Sequence, residues 1–285
     1  MFKTTALWAR AMSDVMRTYQ QPREKLDIQT NKKLQRILIA AEKTDYYKKI
    51  MKEMGYSPVN DYKGVKDLRL FPILTKDKIK EYGVNAFTQE GIDLSQQFSD
   101  STSGSTGLPL RIYRDPHARA LQLAKWLRVL FVNGYSVFDK TLSFTSPDRL
   151  DEGKSILQKF GLLRRYPVDF LLPAEEMVNA MLDFKPNVIY GNRSSLDLVT
   201  EELQKRGMTY PLKLLIVGGE IIEERHRLMY KRCFETHLVE SYGSVELGVI
   251  AFAAPNLDGL VLCEDLNFFE FIDEGDDTAK SGEES

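Results

Sequence analysis

Leu214-Leu215-Ile216-Val217-Gly218-Gly219-Glu220 is an apolar run stopped by two glycines and a carboxylate. A short continuous apolar segment bounded by turn residues fits a strand covered on both faces. Reading outward, residues 141–144, 188–190 and 237–240 are further short strand candidates. Residues 174–184, 194–206 and 223–234 between them have helical length and pattern. Strands separated by helices need crossover connections, so the expected fold class is α/β, with a largely parallel sheet covered by helices. Ligands of such sheets collect beyond the carboxyl ends of the strands. Gly218, Gly219 and Glu220 lie just past one strand end, and Tyr242 and Gly243 just past another.

A second informative stretch is Thr102-Ser103-Gly104-Ser105-Thr106-Gly107-Leu108-Pro109. Hydroxyls and glycines packed this densely let several N–H and O–H groups face one anion, because glycine lacks the Cβ that blocks a phosphate. The stretch lacks the Gly-Lys-Ser/Thr ending of a Walker loop, and no Gly-x-Gly-x-x-Gly follows a strand. It runs into the alternating residues 110–114, so it joins structured pieces and is distinct from a long Ser/Gly linker.

The preceding chain reads as helical. Leu34, Ile37, Leu38 and Ala41 fall at amphipathic-helix spacing within residues 31–43. Thr75 is placed to cap a helix carrying Asp77 in its first turn, and Asp115-Pro116 opens another that runs to about Phe131. The expected organisation is a helical region over residues 1–95, an α/β core over 96–257, and the start of a β-barrel subdomain over 258–285. In that last part, residues 260–262 and 268–271 would form strands, with the remaining barrel absent. An open strand edge there favours either local disorder or association, such as pairing of two chains into a homodimer.

Composition narrows the function classes. With 43% hydrophobic and 28% charged residues the chain can bury a large core. The 39 basic and 41 acidic side chains leave a net charge of −2, which gives no general attraction to nucleic acid or an anionic membrane. Cys233 and Cys263 with three histidines suggest neither a disulfide framework nor a zinc cluster, so a reducing cytoplasm is the expected location. There is no run of 18 apolar residues and no internal repeat. The three histidines lack metal-binding spacing, neither cysteine has the setting of a nucleophile, and the basic run 225–232 reads as a solvated helix face.

The glycine loop resembles the phosphate-binding loop of adenylate-forming enzymes, the superfamily of acyl-CoA ligases. Ser241-Tyr242-Gly243-Ser244-Val245-Glu246 is similar to its Tyr-Gly-x-x-Glu segment, and Leu214–Gly218 with Gly219-Glu220 to its adenine-contacting turn. Residues 71–76, Val188-Ile189-Tyr190-Gly191-Asn192, and Gly259-Leu260 with Glu264-Asp265 resemble the phenylacetate-CoA ligase branch and its capsule-biosynthesis relatives. The resemblance implies binding of ATP, Mg²⁺ and a small carboxylic acid, with coenzyme A as the thiol acceptor. It implies phosphate donors from Thr102, Ser103, Gly104, Ser105, Thr106 and Gly107, and adenine contacts from Gly218, Gly219, Glu220, Ser241, Tyr242 and Gly243. Glu246 would hold Mg²⁺, with Thr106 and Glu246 as the catalytic pair. Tyr190, Gly191 and Asn192 would border the acyl group, with Arg193 facing a polar acyl end.

Singly, each residue has a plainer reading: Tyr242 as a half-buried aromatic, Glu246 as a cap or surface pair, and Gly218-Gly219 as a simple turn. Two positions depart from the superfamily. Leu108 stands where many members have lysine, and Val245 where most have threonine or serine. The Thr-Gly-Asp segment and the mobile domain with its catalytic lysine have no counterpart in these residues; Gly275-Asp276 lies in an acidic tail. Two functions remain open: an acid-activating ligase forming an acyl-adenylate, or a truncated, catalytically weak nucleotide-binding or scaffold protein of the same fold.

Overall fold

The computed structural model describes residues 2–19, 21–102, 109–150 and 156–271. The chain divides into two compact units: Met1–Leu121 with Cys263–Ser285, and Gln122–Leu262.

The first unit begins with helices α1 (Phe2–Thr18), α2 (Arg23–Ala41), α3 (Asp45–Met54) and α4 (Lys76–Tyr82). The helix expected over residues 31–43 is the second half of α2, which starts earlier because Pro22 presets the backbone ahead of Arg23. The Thr75 hydroxyl accepts the Lys78 N–H at 3.2 Å, as its capping role requires. Leu34, Leu38 and Met51 form a small core with Tyr47, Tyr56 and Phe71. Strands β1 (Phe98–Ser101) and β2 (Arg111–Arg114) pair antiparallel.

Residues 263–271 return to this unit. The Asp265 carboxylate accepts the Thr18 hydroxyl at 2.5 Å, the Asp265 carbonyl accepts Lys33 Nζ at 2.6 Å, and Glu264 meets Arg23 at 2.7 Å. The strand expected at residues 268–271 does not form. The Cys263 carbonyl instead closes a turn with the N–H groups of Leu266 and Asn267. Phe268 and Phe269 line a cavity of about 300 Å³ together with Leu26 of α2 and Val65.

The second unit takes up the chain within α5 (Pro116–Val132), which stops where Gly134 turns left-handed at φ 86°. Then come β3 (Lys140–Thr145), β4 (Arg164–Asp169), α6 (Ala174–Phe184), β5 (Val188–Gly191), α7 (Arg193–Lys205) and β6 (Leu214–Gly218). Helix α8 (Glu224–Phe234) and strands β7 (Leu238–Ser244), β8 (Gly248–Ala253) and β9 (Leu260–Leu262) complete it. The sheet order is β4-β3-β5-β6-β7-β8-β9, parallel from β4 to β7 and antiparallel thereafter. β9, expected to open a barrel, pairs with β8 as a sheet edge.

Alternation along the strands sorts the core. Leu142, Phe144, Ile189, Leu215 and Val217 face a layer containing Met177 and Met181 of α6, Leu196, Val199 and Leu203 of α7, and Phe234 of α8. Each such fully buried side chain contributes about 1.5 to 3 kcal/mol. On the opposite face, Tyr190 meets Trp126 of α5 with ring centroids 4.6 Å apart. Within β6, Ile216 is as fully buried as Leu215 and Val217 on the other face, so the strand is covered on both sides, the physical reason for its unbroken apolar run.

A polar clamp fixes the amino ends of the parallel strands. Buried Asp139 accepts Ser136 N–H at 2.6 Å, Asn187 Nδ2 at 2.6 Å and Lys213 Nζ at 2.8 Å. Asn187 also accepts the Lys140 N–H at 2.7 Å through Oδ1, and its backbone carbonyl accepts Lys213 N–H at 2.9 Å. The residues preceding β3, β5 and β6 are thus tied together, which sets strand register and hence what arrives at the opposite edge.

Candidate functional site

The carboxyl edge of β5, β6 and β7 gathers the residues singled out from the sequence. At the end of β5, a Cβ on Gly191 would stand 3.1 Å from the Phe144 ring, a tight approach that the ring would have to yield to. Half-buried Tyr190 has its phenol pushed up by burial, an effect opposed by the positive charges of Arg165 and Arg149. Asn192 caps α7, its side-chain oxygen accepting the Ser195 N–H at 3.2 Å.

Glu220 reaches back to this cap. Its carboxylate accepts Asn192 Nδ2 at 2.7 Å, Ser194 Oγ at 2.7 Å and Ser194 N–H at 3.0 Å, with Arg193 Nη2 at 3.3 Å. A carboxylate belongs there because the first turn of α7 presents unpaired N–H groups and the positive end of its dipole. The Glu220 side chain is a latch between the turn after β6 and the start of α7.

Arg193 is similarly committed. Its Nη1 lies 2.8 Å from Asp197 Oδ2, and Asp197 Oδ1 accepts the Tyr230 hydroxyl at 2.6 Å. Burial, then the Asp197 hydrogen bond, hold the Tyr230 phenol well above its ordinary range. His226 Nδ1 accepts the Glu223 N–H at 3.0 Å and closes the capping box of α8, a structural role. Asp197 and Tyr230 were not marked by the sequence, since a separation of 33 residues hides their contact. Arg227, in the basic run, grips Glu240 at 2.6 and 3.0 Å, so that face is partly paired with β7.

At the ends of β6 and β7, Gly218 pairs with Ser241, and a Cβ on Gly218 would fall 2.9 Å from the Ser241 carbonyl oxygen. Gly219 is left-handed at φ 83°. The pairing of β7 with β8 shifts between Tyr242 and Gly243, where a Cβ on Gly243 would lie only 2.5 Å from the Gly248 carbonyl oxygen. These approaches need glycine and leave Tyr242 projecting, 60% exposed. Half-buried Glu246 sits in the Val245–Leu247 turn. The edge thus offers a glycine-floored step beside an exposed aromatic ring, a surface suited to a flat heterocycle. Among the described residues, no cluster of three or more His, Cys, Asp or Glu side chains is placed to hold a metal.

Ser103, Gly104, Ser105, Thr106, Gly107 and Leu108 lie outside the described residues. The neck of that loop is described: buried Thr102 donates its N–H to the Leu110 carbonyl at 2.9 Å, and its hydroxyl accepts the Leu110 N–H at 3.0 Å. Thr102 therefore spends an oxygen lone pair on closing the loop.

The largely parallel sheet flanked by helices matches the core fold of adenylate-forming acyl-CoA ligases. A solved 2-hydroxyisobutyryl-CoA ligase, in complex with 2-HIB-AMP and CoA, superposes with a TM-score of 0.69 over 87% of this chain and 56% of that one, at 18% identity. The same ligase in its postadenylation state gives 0.68, again at 18% identity, over 87% and 55% of the two chains. In sequence, the chain is 24% identical to a phenylacetate-coenzyme A ligase of Thermus thermophilus over 245 residues, 79% of this chain and 52% of that protein. The chain thus spans about half the length of that relative. No protein-family model matches it.

Proposed function

We propose that this chain binds ATP and a carboxylic acid and supports formation of an acyl-adenylate, whose acyl group passes to the thiol of coenzyme A. In the first step the carboxylate oxygen bonds to the α-phosphorus and pyrophosphate leaves. In the second the thiol sulfur bonds to the acyl carbon, its proton is lost, and AMP leaves. The observation that carries this reading is the edge itself: Gly218 and Gly219 form a bare step beside exposed Tyr242 on the neighbouring strand. Adenine would lie on that step against Tyr242, and Ser241 and Gly243 would border it. The acyl group would lie by Tyr190, Gly191 and Asn192, against a wall made aromatic by Trp126. Because Asp197 and Glu220 already neutralise Arg193, that residue is assigned to holding the edge together.

Phosphate charge would be met by the hydroxyl and N–H groups of residues 102–107, with Thr106 foremost. Magnesium takes one or two carboxylates and fills its remaining positions with water and phosphate oxygens, so a lone Glu246 on a turn fits that ion. The ion, when bound, offsets negative charge in the phosphoryl-transfer transition state.

Calorimetric titration of ATP in Mg²⁺ tests the proposal. Tyr242→Ala should weaken binding by about 1 to 3 kcal/mol, the range for loss of one base-stacking ring. Thr106→Ala combined with Glu246→Ala should cost several kcal/mol through the lost donor and metal ligand. Unchanged affinity in both variants would remove the assignment. A second reading, nucleotide binding without turnover, is favoured by Leu108 and Val245, which supply neither cation nor hydroxyl. Pyrophosphate exchange with a panel of acids separates the two.

A further inference from the structure

Helix α5 carries two cations that are almost fully buried, Lys125 at 4% and Arg128 at 1% exposure. Such groups are costly inside a protein unless something holds them. Arg128 lies over the Phe252 ring, 6.0 Å from its centroid. Lys125 Nζ donates to the backbone carbonyl of Leu247 at 2.8 Å. Leu247 directly follows Glu246, and its own N–H donates to the Ser244 hydroxyl at 3.1 Å. One residue further, Gly248 is left-handed at φ 69°, and the place its Cβ would take is filled by Gln122 Cγ, 2.8 Å away. Gln122 and Lys125 share one helix face, three positions apart. The same face therefore takes hold of the turn at Leu247 and again at Gly248, so the backbone that carries Glu246 cannot shift without moving α5 or breaking these contacts.

We propose that Lys125 is a positioning residue for Glu246: it fixes the backbone of the β7–β8 turn so that the carboxylate is held where a nucleotide-bound Mg²⁺ needs it. This rests on the reading of Glu246 as the magnesium ligand. Mg²⁺ demands near-ideal octahedral geometry, and groups that orient a ligand affect metal affinity about 10- to 100-fold. Asn133 supplies an internal comparison. Its Nδ2 ties the end of the same helix to the Ala253 carbonyl at 3.0 Å, at the far end of β8 from the turn.

The test is ATP titration into the full chain over a range of Mg²⁺ concentrations and in EDTA. Lys125→Met keeps the apolar stem and removes the donor. It should raise the Mg²⁺ concentration for half-maximal ATP affinity about tenfold or more, with affinity in EDTA unchanged. Gly248→Ala disturbs the same turn from the Gln122 side and should shift the Mg²⁺ dependence in the same direction. Asn133→Leu should lower the melting temperature and leave the Mg²⁺ dependence alone. Parent-like Mg²⁺ dependence in either turn variant that melts cooperatively overturns the inference, and so does an equal shift in Asn133→Leu, which would make the effect one of helix stability. ATP binding by the parent that ignores Mg²⁺ overturns the inference together with the metal role of Glu246 and leaves the adenine site standing. No ATP binding by the parent removes the proposed function and this inference together.

Discussion

Replacing Asp139 by alanine should destabilise the unit Gln122–Leu262 by about 3 to 5 kcal/mol, the usual cost of breaking a buried charged network by removing one partner. Three donors converge on this carboxylate, from Ser136, Asn187 and Lys213. At about 1.5 kcal/mol for each bond to a charged acceptor, their sum lies inside that range. It does not climb to the upper limit of the per-bond scale because the Lys213 side chain is 40% exposed and regains water. For a unit of this size the loss corresponds to a fall in melting temperature of roughly 6 to 20 °C. Burial pushes the Asp139 carboxyl up, but the hydrogen bonds from Lys213, Ser136 and Asn187 outweigh it and hold the group below its ordinary value. A depressed folded-state pKa means that the stabilisation is complete above the unfolded value of about 3.9 and is lost as pH falls through the folded value. Guanidinium unfolding followed by circular dichroism at pH 7 and pH 3 measures both effects. A loss under about 1 kcal/mol at neutral pH, or a gap between parent and variant that is no smaller at pH 3, would refute the clamp.

Two further outcomes follow from packing. Gly218→Ala places its new carbon 2.9 Å from the backbone oxygen of Ser241, which cannot rotate away; a loss of about 1 to 3 kcal/mol is expected, and a melting temperature equal to the parent's would contradict that approach. The Cys233 thiol is buried and pushed up to about 11, so iodoacetamide at pH 8 should label it only through opening of the fold; labelling as fast as a free peptide thiol would contradict its placement.

How much was legible in advance varies with the distance over which each feature is decided. Helix α6 was readable to its ends and β6 nearly so, because a helical pattern stopping at Phe184 and an apolar run stopping at Gly218 are local signals. The extension of β7 through Ser244 was not, since Tyr242 and Gly243 become strand by pairing with β8, which follows them. Residues 268–271 read as a strand because aromatic alternation suggests a face to be covered, yet Phe268 and Phe271 stay exposed and no neighbouring strand pairs with them among the described residues. Lys125 and Arg128 look like ordinary polar positions on a helix until β8 is laid against them. At the candidate site the glycines and Tyr242 were legible as a chemical pattern. The latch role of Glu220 was not, because its partners Asn192 and Ser194 lie 28 and 26 residues earlier.

The return of residues 263–271 to the first unit bears on how the chain is made. Thr18 cannot meet Asp265 until 247 further residues have been added, and Arg23 waits almost as long for Glu264. At ribosomal rates of about 5 to 20 residues per second, that wait is roughly 10 to 50 s. Over the same interval the whole of Gln122–Leu262 emerges, and its strand pairings and helix layer need nothing from the residues still to come. Helix α2 therefore meets its apolar partners Met51, Tyr56 and Phe71 early, while the bonds that α1 and α2 make to residues 263–271 are among the last to close. Any chaperone acting on the nascent protein would meet α1 and α2 before these late bonds close.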